Sequence, residues 1–190
     1  MRVLAPAGYA RATPLPETLD SLVRAHAEIV SAIAPGEDYA LVGYSSGGWL
    51  AQAVAERLEQ TGTGPRALVL LDTYAPDDAR IKQLQTELYR ELAANPELIE
   101  LVTDTSLAAM GWHLRLFDGW SPGRLAAPTL LVAAERFIDG DAAPEPAGPW
   151  PDPRTLIRVR GTHTTMITSF ADESAAAVDA WLRGPTESAP

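Results

Sequence analysis

The chain has 190 residues, no cysteine, and 25 acidic against 15 basic residues, a formal net charge of −10. That length suits one domain with a hydrophobic core, residues 1–190, and an apolar content of 46% excludes a disordered chain. The acidic balance argues against nucleic acid or an anionic membrane as a partner, and the lack of cysteine excludes disulfides, thiolate metal sites and a thiol nucleophile. No apolar run reaches the roughly 20 residues of a membrane span and no basic-then-apolar leader opens the chain, so a cytoplasmic protein is expected.

In chain order, Arg2–Ala5 reads as a short first strand and Pro16–Ile33 as a helix. Tyr39–Val42 is an apolar run of strand length, followed by Gly43-Tyr44-Ser45-Ser46-Gly47-Gly48 and by Trp49–Gln60, where Leu50, Ala53, Val54 and Leu58 recur at helical spacing. Ala67–Leu71 is the next strand, apolar throughout, as expected for a strand covered on both faces. The stretch 78–120 is too long for one crossover helix. Ile81, Leu84, Leu88 and Leu92 keep helical spacing up to Pro96, and Leu98, Ile99, Leu101 and Val102 follow it. Two or three helices inserted there would form either a lid over one end of the sheet or a layer that only packs. Thr129–Ala133 and Thr155–Val159 are further strands, and Ser174–Leu182 is a last helix. The proline-rich Gly140–Pro153 reads as a surface loop, and Gly184–Pro190 as a frayed polar tail. Strands alternating with helices predict an α/β fold built on a mainly parallel sheet with helices on both faces.

The segment from Gly43 to Gly47 is G-x-S-x-G between a strand and a helix, the setting of a nucleophile elbow. Glycines on either side leave room for the sharp turn. The helix start behind Ser45 offers the Ser46 backbone N–H and a positive dipole end to a developing oxyanion. A serine hydroxyl needs a base within hydrogen-bond reach. His163, in Gly161-Thr162-His163-Thr164-Thr165-Met166 after the last strand, is the candidate; His26 reads as a packing or surface residue and His113 as part of the inserted stretch. Two carboxylates compete to orient that base: Asp72, which ends one strand, and Glu135, which follows the next. Spacing gives Asp72 a small lead. Serine, acid, histidine is the chain order of α/β-hydrolases. No G-x-G-x-x-G follows a strand, and three histidines far apart show no metal-ligand spacing, so neither a cofactor nor a metal is expected.

Leu41–Trp49, Val69–Tyr74 and Gly161–Met166, with the opening Pro6-Ala7-Gly8-Tyr9 and Pro14–Glu17, resemble the chain-releasing thioesterase domains of modular polyketide synthases. The resemblance covers nearly the whole chain. It implies an α/β-hydrolase fold with Asp72, not Glu135, as the acid, Tyr74 beside the substrate channel, and 78–120 as the lid. It also implies an acyl carrier protein as partner, a polyketide acyl thioester as substrate, and release through a Ser45 acyl-enzyme as a macrolactone or an acid. Gly48 favours this group over stand-alone editing thioesterases, which usually carry Met-Gly-Ala after the serine.

The pattern is broken in three places. Tyr44 stands where a histidine is usual, and Ser46 where a small apolar residue is usual. Compared with the family, the chain also begins near the fourth strand. It is therefore expected to be N-terminally truncated, as a fragment or the product of a late start. The absent part would hold the strand and loop that supply the second oxyanion donor, and a helical segment that makes a homodimer in the full-length context. One lost donor costs about 2.7–4 kcal/mol of barrier. The alternatives are a stand-alone editing thioesterase or general serine esterase with the same three residues, and, from another class, a non-catalytic α/β-hydrolase-fold binding module.

Overall fold

The computed structural model describes residues 1–9, 13–94, 103–137, 150 and 154–184. Its elements are α1 (Leu19–Ile33), β1 (Ala40–Tyr44), α2 (Ser46–Gln60), β2 (Ala67–Leu71), α3 (Ile81–Ala94), α4 (Asp104–Leu116), β3 (Thr129–Ala134), β4 (Arg154–Val159) and α5 (Ala171–Arg183), with a short 3-10 turn at Thr165–Ile167 before α5. The four strands form one parallel sheet in the order β1-β2-β3-β4. In register, Tyr44 lies beside Leu71, and Leu71 beside Val132.

The alternation of side chains along each strand divides the core in two. Leu68, Leu70 and Leu131 face α1 and α2, where Leu22, Val30, Trp49, Val54 and Leu58 meet them. Val69, Leu130, Val132 and Val159 face the other way, against α5 and the fully buried Met166. Helices thus cover both faces, as an all-apolar β2 requires. Thr18 caps α1 through reciprocal bonds with Ser21, and Thr103 caps α4 in the same way with Ser106. Two carboxylates of α2 hold the run into β3. Glu56 accepts from the Gly123 N–H at 2.7 Å, and Glu59 from those of Ala126 and Ala127 at 2.9 and 2.8 Å.

One expected strand does not form. Residues 2–5 have no strand conformation; Val3 is exposed, and the Arg2 side chain donates to the Ile33 carbonyl at 3.0 Å. A strand exists only with a ladder partner, and among the described residues the sheet ends at β1, which pairs with β2 alone. Among the described residues, the stretch 78–120 holds α3 and α4. The run around Pro96, the loop 140–153 apart from Trp150, and the tail beyond residue 184 lie outside the described residues. Among those described, no helix is long and apolar enough to cross a membrane.

Candidate active site

The carboxyl ends of the parallel strands point to one edge of the sheet, and the site is built there. β1 ends at Tyr44, and Ser45 takes φ 55° and ψ −131° before α2 begins at Ser46. The Ser45 N–H still donates to the Leu71 carbonyl at 3.0 Å, so the turn is pinned to the end of β2. Asp72 follows β2 with φ 42° and donates its own N–H to the Val132 carbonyl at 2.7 Å. Two adjacent strands therefore each end on a non-glycine residue at positive φ. Such conformations cost about 1–3 kcal/mol each and persist where surrounding structure enforces them.

The glycines of the elbow are not equivalent. A Cβ on Gly43 would sit 2.5 Å from the Gly47 carbonyl oxygen and the Gly48 Cα, and one on Gly48 would run into the Thr73 side chain. A Cβ on Gly47 would meet nothing within 4 Å. The close approach thus demands glycine at 43 and 48, whereas position 47, which the motif marks, is open.

His163 reaches the site from the loop after β4. That loop is held locally: the Thr162 N–H donates to Thr165 Oγ1 at 2.7 Å, and the Met166 N–H to the Thr162 carbonyl at 3.0 Å. The imidazole then joins two residues far away in sequence. Its Nε2 lies 3.1 Å from Ser45 Oγ and its Nδ1 2.8 Å from Asp72 Oδ2. Asp72 Oδ1 accepts the Ala134 N–H at 3.0 Å, and the carboxylate is only 3% exposed. Glu135 follows β3 directly, with its side chain exposed and its N–H donating to the Val159 carbonyl at the end of β4. In a neutral imidazole held this way, Nδ1–H donates to Asp72 and the lone pair of Nε2 faces the Ser45 hydroxyl. That arrangement can take a proton from the hydroxyl as its oxygen attacks an electrophile. Ser46 opens α2, so its N–H has no acceptor within the helix.

Ser45, Ser46, Asp72, Tyr74 and His163 line one side of a cleft of about 570 Å³ that opens to solvent. α3 contributes Ile81, Leu84, Gln85 and Tyr89 to the opposite side, and α4 contributes Met110 and Leu114. A second cleft, bordered by Pro76 and Trp120, shares Trp49, Ile81, Gln85 and Leu114 with the first. Tyr74 is held by Trp49, whose indole N–H donates to the Tyr74 carbonyl at 2.6 Å, and by the Arg80 guanidinium 4.8 Å over its ring. Burial, then the Asp72 charge, pushes the Tyr74 hydroxyl far above the usual phenol range, so it stays protonated and neutral. Burial works to raise the Asp78 carboxyl, but its hydrogen bonds with Arg80 outweigh that and hold it low. Among the described residues, no cluster of three His, Cys, Asp or Glu side chains could hold a metal ion.

The sequence reading gave the set Ser45, Asp72 and His163, with spacing leaving Glu135 open and the resemblance implying Asp72, and it missed three contributors. The Ala134 N–H on Asp72 is a backbone group with no sequence signature. The walls from Met110 and Leu114 depend on how α4 packs. Tyr44, treated as a neutral departure, stacks on the imidazole at 4.8 Å.

The thioesterase domain family matches residues 1–182. NorC, a protein of the spectinabilin polyketide synthase system of Streptomyces orinoci, is 37% identical over 186 residues, covering 96% of this chain and 8% of NorC. The polyketide synthase GfsE of Streptomyces halstedii is 38% identical over 182 residues, covering 94% and 5%. Erythronolide synthase EryA3 of Saccharopolyspora erythraea is 31% identical over 193 residues, covering 97% and 6%. The chain thus spans less than a tenth of the length of these relatives. Among solved structures, the RedJ thioesterase of the prodiginine pathway in Streptomyces coelicolor superposes with a TM-score of 0.68 at 25% identity, covering 92% of this chain and 73% of that one. The surfactin thioesterase domain SrfTE, at 21% identity and a TM-score of 0.66 with 92% and 80% covered, shares the fold. With an elbow, a parallel sheet and a match along nearly its whole length, this chain belongs to the thioesterase domain family.

Proposed function

We propose that the chain is a serine thioesterase domain that releases a polyketide acyl chain from the phosphopantetheine arm of an acyl carrier protein. The observation that carries this reading is the unbroken hydrogen-bonded line Ser45–His163–Asp72 at the mouth of a largely apolar cleft. Ser45 Oγ attacks the thioester carbonyl carbon while His163 Nε2 takes its proton, and Asp72 holds the ring and stabilises the imidazolium. The carbonyl oxygen becomes an oxyanion, for which the Ser46 N–H and the positive end of α2 are the available donors. Collapse breaks the carbon–sulfur bond; the pantetheine thiol leaves with the proton from His163, and the acyl group stays on Ser45. Water or a hydroxyl of the acyl chain then attacks, gives its proton to His163, and displaces Ser45 Oγ, which recovers it. An acid or a macrolactone results. No step draws on a metal or cofactor.

In this reading α3 and α4 are the lid, Tyr74 borders the channel, and the two clefts, which share four lining residues, give a long chain room to lie beside the site. The carrier protein partner and the synthase relatives favour a cytoplasmic setting. The reading is tested by steady-state hydrolysis of N-acetylcysteamine thioesters, comparing acetyl with a long, methyl-branched hydroxyacyl group, on the parent chain and Ser45→Ala. The expected result is at least tenfold higher kcat/KM for the long substrate and a loss of about 10⁴-fold or more in Ser45→Ala. Equal rates for both substrates would favour a general esterase. Turnover that survives Ser45→Ala would remove the serine from the mechanism.

A further inference from the structure

We infer that Tyr44 is a positioning residue for His163: its ring and its hydroxyl together fix the imidazole against Ser45. This rests on the proposed role of His163 as the base. Tyr44 touches the histidine twice, although 119 residues separate them. Its ring stacks on the imidazole with centroids 4.8 Å apart and an interplanar angle of 25°. Its hydroxyl donates to the His163 carbonyl at 2.9 Å. One contact orients the ring plane, and the other ties down the backbone that carries it.

The other restraints on His163 act elsewhere. The bonds among Thr162, Thr165 and Met166 shape the loop but leave the torsions of the side chain free. Asp72 and Ser45 meet the edge of the ring at Nδ1 and Nε2. Both of those bonds would survive a tilt about the line joining the two nitrogens, and only a contact on the face resists that tilt. Tyr44 supplies it from a rigid place, the last residue of β1, paired in register with Leu71. Its position directly before Ser45 is also informative. The backbone that aims the nucleophile also aims the residue that aligns the base, so the two move as one unit.

The two contacts can be separated by substitution. Removing only the hydroxyl should loosen the backbone tie, and removing the aromatic face as well should free the ring plane.

The test is the labelling of Ser45 by a small fluorophosphonate at neutral pH, resolved into probe affinity and maximal rate, in the parent, Tyr44→Phe and Tyr44→Leu, with thermal unfolding of each to confirm a folded state. This probe needs the base but no carrier protein or long acyl chain. Tyr44→Phe, which keeps the ring, should label about three- to tenfold more slowly at unchanged probe affinity. Tyr44→Leu should label about ten- to a hundredfold more slowly, also at unchanged probe affinity. Both variants labelling within twofold of the parent would overturn the inference. So would a Tyr44→Phe as slow as Tyr44→Leu, since the face of the ring would then contribute nothing. If the folded parent itself does not label, the proposed role of His163 and Ser45 fails, which is a different outcome from an unaffected Tyr44 variant.

Discussion

Two regions border the same cleft and are built on different principles. At the ends of β1 and β2, position is set by the main chain: parallel register, positive φ at Ser45 and Asp72, and backbone bonds to Leu71 and Val132. Ala67–Leu70 of β2 are all buried. In the opposite wall, none of the described side chains of α3 is buried, and α4 buries only Ala109, with the Trp112 indole N–H donating to the Pro16 carbonyl at 2.7 Å as a tether. The first region has one conformation because several hydrogen bonds and a packed core enforce it. The second has few buried contacts, and such segments open at low free-energy cost. In the proposed mechanism the sheet end therefore sets the chemistry and the helical layer sets which chains reach it.

The largest expected effect lies in the first region. Asp72→Asn should lower kcat by about 10⁴-fold while leaving a folded protein, because an amide can still accept the Ala134 N–H but holds the imidazole in the wrong tautomer. Glu135→Gln, measured in the same thioester assay, should stay within twofold of the parent. Comparable losses in both would mean that the two carboxylates share the role.

Next comes the backbone of the elbow. Gly48→Ala must push the Thr73 side chain aside and should destabilise the fold by about 1–3 kcal/mol in urea titration. Gly47→Ala has open space and a better helix former, so it should be neutral or stabilising by up to about 1 kcal/mol. A reversal of that order would contradict the geometry of the turn.

These positions also show what a sequence can carry. The elbow was legible because its signals are local: an apolar run, glycines around Ser45, then helical spacing. The strands β2 and β3 were legible because burial on both faces leaves an unbroken apolar run. The information that was missing is non-local. Arg2–Ala5 has strand composition, but a strand needs a neighbour, and among the described residues none flanks it. Asp72 and Glu135 are both strand-end carboxylates, and only the fold shows that Asp72 turns inward onto His163 Nδ1 while Glu135 faces solvent. The requirement for glycine at 48 rather than 47 depends on Thr73, a residue from the next strand end.

Smaller effects should appear in the helical layer. Leu114→Ala should change kcat/KM for the long acyl thioester by about tenfold and leave small-probe labelling of Ser45 within twofold. Equal losses in both assays would show that α4 supports the chemistry directly. The smallest effect concerns His113 on α4. Burial first, then His26, depresses its pKa, and a backbone bond with Ala7 only partly opposes them. In the folded state it therefore takes up a proton at lower pH than in the unfolded chain. Its contribution to stability is present above the ordinary histidine value of about 6.5 and is lost as pH falls below it. Urea midpoints between pH 7 and 5 should fall more steeply for the parent than for His113→Gln. Parallel slopes would mean that this histidine is already solvated in the fold.

The most direct test of the central claim is a rapid quench of the chain with an acyl N-acetylcysteamine thioester, followed by intact mass and peptide mapping. The account predicts one added acyl group, on the peptide containing Ser45, that forms before product and is absent in Ser45→Ala. Product release with no adduct at any quench time, at a rate unchanged in Ser45→Ala, would contradict it.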